Sequence, residues 1–210
     1  MYKAFGKRTV DIICAALALL VFCWLYLLLA ILIRIKLGKP VLFRQGRPGK
    51  DEKTFHLYKF RTMTNARDAN GALLSDTERL TKFGKWLRDR SLDELPEAWN
   101  ILKGEMSVVG PRPMLIEYLP LYKGRQKLRH SVLPGLTGLA QINGRDALDF
   151  ETKVALDVAY TEDIRFSKDI KIILATVKKA IIRRDDILYG ADKPAPDMTG
   201  VKGKEKEPYA

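Results

Sequence analysis

Residues 12–33 read Ile12-Ile13-Cys14-Ala15-Ala16-Leu17-Ala18-Leu19-Leu20-Val21-Phe22-Cys23-Trp24-Leu25-Tyr26-Leu27-Leu28-Leu29-Ala30-Ile31-Leu32-Ile33, which is 22 residues without a charge, bounded by Asp11 and Arg34. Coiled as one helix, the run is about 33 Å long and reaches across a bilayer. A cleavable signal has an apolar core of about 7–15 residues and then a small-residue cleavage site. This run is longer and no such site follows it, so it is expected to stay in the protein as a membrane segment. Lys3, Lys7 and Arg8 precede it, and Arg34, Lys36, Lys39, Arg44 and Arg47 follow it. Both flanks therefore read as cytoplasmic. Two geometries satisfy them: a spanning helix with its carboxyl end inside, or a bent helix that enters and leaves on one face.

Beyond this run the chain reads as a water-facing domain. Val41-Leu42-Phe43 and Thr54-Phe55-His56-Leu57-Tyr58-Lys59-Phe60 are strand-like, and turn-forming residues from Gln45 to Asp51 lie between them, which predicts a small hairpin. Ser75 and Glu78 have capping-box spacing, and Leu80, Phe83 and Leu87 recur at helical intervals, predicting a helix to about Arg90. Leu95, Trp99 and Leu102 mark a second helix stopping near Gly104. Pro and Gly punctuate residues 108–144 and predict rigid loops, interrupted by a helix around Leu115 to Leu128. Two more helical patterns follow Phe150. The last sets Ile170, Ile173, Val177 and Ile181 among Lys171, Lys178, Lys179, Arg183 and Arg184. That pattern suits a core-facing helix and equally an amphipathic helix on an anionic membrane. After Gly190 the composition predicts a disordered tail.

At 210 residues the chain holds one ordinary core with an appendage. A net charge of +12 calls for an anionic partner, which nucleic acid, an anionic membrane or a phosphate-rich substrate would each supply. Cys14 and Cys23 both lie in the apolar run, so neither a disulfide framework nor a spaced zinc motif is expected, and a reducing, cytosol-facing location fits. With only His56 and His130 present, a His-rich metal centre is not expected, whereas oxygen-liganded Mg²⁺ remains open.

Chemistry concentrates in Ser91-Leu92-Asp93-Glu94-Leu95-Pro96. Ser91 and Glu94 have the spacing of a capping box, and acids suit a first helical turn, so structure alone could account for them. Pro96 works against that account. With Ser91 as N-cap it would occupy the fifth helical position and could not donate to the Leu92 carbonyl, so the helix must bend or begin later. Basic residues accompany the rigid loops: Lys59 and Arg61, Arg88, Arg112, Arg145. Most such residues form a solvated surface. Arg112 stands between Pro111 and Pro113, which fix its backbone and lower the entropy cost of holding a guanidinium against phosphate.

Six motifs, in order, resemble the monotopic phosphoglycosyl transferases, the small bacterial sugar transferase family. They are Lys7-Arg8-x-x-Asp11, Lys59-Phe60-Arg61-Thr62-Met63, Ser91-Leu92-Asp93-Glu94-Leu95-Pro96, Leu102-Lys103-Gly104-Glu105-Met106-Ser107, Val109-Gly110-Pro111-Arg112-Pro113 and Pro134-Gly135-Leu136-Thr137-Gly138. The similarity runs from Lys7 to about Arg184. It implies a ping-pong reaction in which Asp93 attacks the sugar-bearing phosphate of a nucleotide diphosphate sugar, with a UDP-linked sugar the expected donor, and polyprenyl phosphate then takes the phosphosugar. It also implies Glu94 and Mg²⁺ beside Asp93, substrate contacts from Lys59, Arg88, Arg112, Arg145 and Asp157, anionic lipids as further partners, and downstream glycosyltransferases using the product. Asp157 also reads as a surface acid on a helix. Relatives carry Ser-Pro midway along the membrane helix, whereas this chain has Cys23-Trp24. Re-entry is still expected, since the site must meet a lipid phosphate and both flanks are basic.

The resulting expectation is an α+β, mainly α-helical protein. A re-entrant membrane helix spans 1–38, with Lys7, Arg8, Asp11, Cys23 and Trp24 anchoring it. A catalytic domain with a short hairpin and interfacial amphipathic helices spans 39–190 on the cytoplasmic face of the bacterial inner membrane, and a disordered tail spans 191–210. The competing reading is a membrane-anchored basic scaffold or nucleic-acid binder. No nucleic-acid-binding signature supports it, and it needs neither the Asp-Glu pair nor Pro-Arg-Pro.

Overall fold

The computed structural model describes residues 2–144 and 147–182. The expected tail and Arg145 lie outside the described residues. The fold is mixed α and β, with helix predominating.

After a single π-helical turn, Tyr2–Gly6, the apolar run forms two helices, α1 (Lys7–Val21) and α2 (Cys23–Lys36), bent by 63°. Phe22 makes the joint, at φ −99° and ψ 11°. No single helix among the described residues is long and apolar enough to cross a membrane, and the bent pair passes that test only together. Sharp bends usually come from proline. Here tertiary packing replaces it, because both halves are held by the domain. Ala15 of α1 packs with Phe55, Leu57, Ala98 and Ile101, whereas Leu29 and Ile33 of α2 pack with Phe60 and Leu87. Close to the bend, Tyr26 Oη donates to the Leu95 carbonyl at 2.5 Å.

The hairpin forms as predicted, from β1 (Leu42–Pro48) and β2 (Thr54–Phe60), paired antiparallel. β1 runs well into the stretch read as a turn, and the reversal occupies 49–53. Ser75 does cap a helix with Glu78, but that helix, α3 (Asp76–Arg79), is one turn long. Leu80 becomes extended and bridges Met63, and Thr81 caps a separate helix, α4 (Lys82–Asp89), accepting from Gly84 N–H at 3.0 Å. Two successive local caps thus divide what the apolar spacing joined.

The second helix, α5 (Glu97–Lys103), ends at Gly104 with φ 84°, the left-handed cap its sequence asks for. Buried Asn100 ties it to the hairpin. Its side chain accepts from Tyr58 N–H at 3.0 Å and donates to the His56 carbonyl at 2.7 Å. The segment 108–144 is more ordered than loops. β3 (Ser107–Val109) and β4 (Gly135–Thr137) pair in parallel, followed by α6 (Leu139–Ile142). The helix expected from Leu115 to Leu128 is instead two 3₁₀ segments, Ile116–Leu121 and Gly124–His130. Helices α7 (Phe150–Glu162) and α8 (Phe166–Ile182) close the fold, with Tyr160 and Ile172 buried against Val109. On α8 the buried positions include Asp169 and Ile172, while Leu174 and Val177 stay exposed, so the apolar stripe is only partly core-facing.

Candidate active site

Ser91 does not cap the helix that carries Leu95. It takes a left-handed conformation (φ 52°), and Leu92–Glu94 form one 3₁₀ turn before α5 begins at Glu97, with Pro96 as its N-cap. Proline there forfeits no hydrogen bond, so the helix begins later, the second of the two solutions open to the sequence. The consequence is functional. Asp93 and Glu94 sit on a tight turn ahead of a helix, aimed by the backbone and free of capping duty.

Asp93 is buried. Burial, reinforced by the charge of Glu94, pushes its carboxyl up, while Lys59 and Arg88 pull it back. Glu94 has the opposite balance. Burial opposes its ionisation, but Arg112 and Lys59 outweigh it and hold the carboxyl well below the usual carboxylate range. One oxygen, Oε1, accepts from Lys59 Nζ and from Arg112 Nη2, each at 2.7 Å. Two neighbouring acids are thereby driven in opposite directions, the pattern expected of carboxylates with different tasks.

Lys59 lies on β2 on the same face as Phe55 and Leu57, since side chains alternate along a strand. Its stem follows that apolar face, and its ammonium reaches Glu94 and, at 3.2 Å, Glu97 Oε1. Burial would favour the neutral amine, yet these two carboxylates prevail and raise its pKa. Arg88, on α4, donates through Nε to Thr62 Oγ1 at 2.9 Å. Gly84 makes that reach possible, because a Cβ there would stand 1.7 Å from the Thr62 carbonyl oxygen. Arg112 is more open than its neighbours, with 44% of its side chain exposed.

Five of the expected site residues, Asp93, Glu94, Lys59, Arg88 and Arg112, thus gather around one turn. Arg145 lies outside the described residues. Asp157 is fully buried and paired with Arg129, whose Nη2 donates to it at 2.8 Å, so its reading as a surface acid is corrected. Lys7, Arg8 and Asp11, expected at the membrane boundary, bond the domain. Lys7 Nζ reaches Asp169 at 2.7 Å, and Arg8 donates to the Ile101 and Leu102 carbonyls at 2.6 and 2.8 Å. Asp11 accepts from Ser107 Oγ at 2.9 Å and Val108 N–H at 2.8 Å. Cys23 and Trp24 are exposed.

Two residues of the site carried no sequence signal strong enough to select them. Glu97 is buried beside Lys59, and its three-residue spacing from Glu94 was the available hint. Arg47 reads as one more basic flank of the membrane run. It shares a hairpin face with Lys59, and a cavity of about 30 Å³ is lined by both together with Leu57, Glu97, Arg112 and Pro113.

Among the described residues no group of three His, Cys, Asp or Glu side chains is arranged to hold a metal ion. The donor chemistry suits Mg²⁺ nonetheless, since this ion commonly takes one or two carboxylates and completes its shell with phosphate oxygens and water. Asp93 and Glu94 are the pair that could serve.

Comparison with known proteins shows the family. The model of a family described as bacterial sugar transferase matches residues 2–183. The uncharacterized sugar transferase EpsL of Bacillus subtilis is 49% identical over 176 residues, covering 84% of this chain and 87% of that protein. Galactosyl transferase CpsE of Streptococcus agalactiae is 40% identical over 191 residues, covering 84% of this chain and 42% of that protein. A UDP-glucose:undecaprenyl-phosphate glucose-1-phosphate transferase of Klebsiella pneumoniae is 41% identical over 189 residues, covering 85% of this chain and 40% of that protein. The chain therefore spans about two fifths of the length of these last two relatives.

Proposed function

The chain belongs to the bacterial sugar transferase family, and from that premise we propose that it is a phosphoglycosyl transferase acting on a nucleotide diphosphate sugar and polyprenyl phosphate. The observation that carries the reading is the opposed electrostatics of Asp93 and Glu94, set between Lys59 and Arg112. In its carboxylate form a poorly solvated Asp93 is a competent nucleophile. One of its oxygens attacks the sugar-bearing phosphorus. The bond from that phosphorus to the bridging oxygen breaks, and nucleoside monophosphate leaves with the electron pair. An oxygen of polyprenyl phosphate then attacks the same phosphorus, the aspartyl bond breaks, and Asp93 returns as carboxylate with polyprenyl diphosphosugar as product.

Around that chemistry, Arg112 and Arg88 bind phosphate oxygens and stabilise the charge spread over the equatorial oxygens in the transition state. Lys59 keeps Glu94 ionised and oriented. Glu94 with Asp93 would hold Mg²⁺, which when bound neutralises part of the diphosphate charge. The bent α1–α2 pair, with Leu20, Phe22, Trp24 and Leu27 exposed, suits burial in one leaflet of the inner membrane, re-entering so that the site meets the lipid phosphate from the cytoplasmic face. The product would feed downstream glycosyltransferases.

The test is Asp93→Asn in the full chain. Release of nucleoside monophosphate should fall by about a thousandfold or more, the order seen when a nucleophile is removed, with the melting temperature kept. Trapping a phosphosugar on wild-type protein, and its loss in the variant, checks the covalent step. Near-normal turnover by Asp93→Asn rules the assignment out.

A further inference from the structure

Among the described residues, Arg112 is the one cation of the site carried by neither a helix nor a strand. Its neighbours Pro111 and Pro113 have no N–H to donate, so carbonyl oxygens are the handles by which the protein can hold this bend. Two successive carbonyls are held by guanidinium groups. Arg129 Nη2 donates to the Arg112 carbonyl at 2.7 Å, and Arg47 Nη1 donates to the Pro113 carbonyl at 3.1 Å. Arg47 comes from the hairpin that carries Lys59, whereas Arg129 comes from the 3₁₀ segment Gly124–His130, so the loop is fixed from two separate parts of the fold.

Each guanidinium is itself immobilised. Arg129 is 2% exposed. Its Nε and Nη2 bond Asp157 Oδ2 at 3.2 and 2.8 Å, its Nη1 bonds Tyr122 Oη at 3.2 Å, and its charge lies 5.1 Å from the Tyr122 ring centre. Arg47 is steadied by Gln45 Oε1, 2.7 Å from its Nη2. Burying two guanidinium groups is expensive, and apolar residues of similar volume usually serve stability as well or better. What they supply in exchange is placement. A guanidinium recognises phosphate usefully only when held within about 0.5 Å and 10–20° of its productive geometry.

We propose that Arg47 and Arg129 are positioning residues that aim Arg112 at substrate phosphate, and that Asp157 acts through Arg129 and not on the substrate. This rests on the transferase reading. It assigns a role to two arginines outside the expected site and replaces the direct contact expected of Asp157.

The experiment is a set of double-mutant cycles on the full-length protein in lipid nanodiscs, measuring nucleoside monophosphate release against donor concentration. Arg47→Lys and Asp157→Asn should each lower donor kcat/KM by about tenfold or more, because a lysine cannot bond Pro113 and Gln45 in the same fork. In an Arg112→Lys background the same changes should cost less than about threefold, since residues acting as one unit are not additive. Should Arg47→Lys fail to fold, Gln45→Met loosens the same guanidinium and carries the same cycle. Single variants without a kinetic defect, or losses that multiply in the Arg112→Lys background, overturn the proposal. A wild-type protein that releases no nucleotide overturns the transferase reading, and the aiming role with it.

Discussion

Glu97 shows how much a single buried carboxyl can report. Burial, and after it the charge of Glu94, pushes its pKa from 4.5 up to about 7, against the pull of Lys59. The folded protein therefore keeps a proton that the unfolded chain gives up first. Stability falls as pH rises above 4.5, and the fall is complete only above about 7. Glutamine has no proton to lose. Relative to wild type, Glu97→Gln should thus be more stable at pH 8 than at pH 5, which denaturant midpoints at the two pH values can measure. A difference that is flat, or that shrinks towards pH 8, contradicts the burial and charge balance described for this residue. Its spacing from Glu94 was too weak a local hint to select Glu97, because its partner Lys59 comes from a strand some forty positions away, whereas Asp93 and Glu94 stood out through their neighbours Ser91 and Pro96.

At the scale of elements, the β3–β4 pair governs where the Arg112 loop begins. Strand approach there depends on glycine: a Cβ on Gly135 would fall 2.0 Å from the Gly110 backbone nitrogen, and one on Gly138 would fall 2.1 Å from the Gly110 carbonyl oxygen. Both contacts are with backbone, so no side-chain rearrangement relieves them. Gly135→Ala should therefore cost about 3 kcal/mol or more, at the large end for single substitutions, and lower the melting temperature accordingly. An unchanged melting temperature would mean that the parallel pair is not formed. Elements specified by near neighbours were legible in the sequence: the hairpin, the Ser75 box and the Gly104 cap. This pair was not, because three-residue strands 25 or more positions apart leave no periodic signal, and glycines that allow close approach look like loop glycines. The same limit hid the division between α3 and α4, where two valid caps compete.

Over the whole molecule, the bent helix pair was the least legible feature, since Phe22-Cys23-Trp24 contains no recognised breaker. The bend follows from contacts with the domain on both sides of Phe22, which no local reading contains. It follows that proline is redundant here. Both ends of α1–α2 should face the cytoplasm, and changing Cys23-Trp24 to Ser-Pro should leave that unchanged. Single cysteines near residues 3 and 204, in a Cys14→Ser, Cys23→Ser background, test this with an impermeant thiol reagent. Labelling of residue 3 alone in intact spheroplasts would mean a spanning helix.

The way Asp11, Ala15, Leu29 and Ile33 fit into the domain also bears on how the protein is made. Cutting the chain behind Lys36 would remove the carboxylate that receives Ser107 and Val108, the arginine that caps α5, and the apolar cover of Phe60 and Leu87 in one step. What remained would lack part of its own interior. The segment therefore has to be made and packed together with the rest before the domain has a complete interior, and a chain cut behind Lys36 should be far less stable than the whole one.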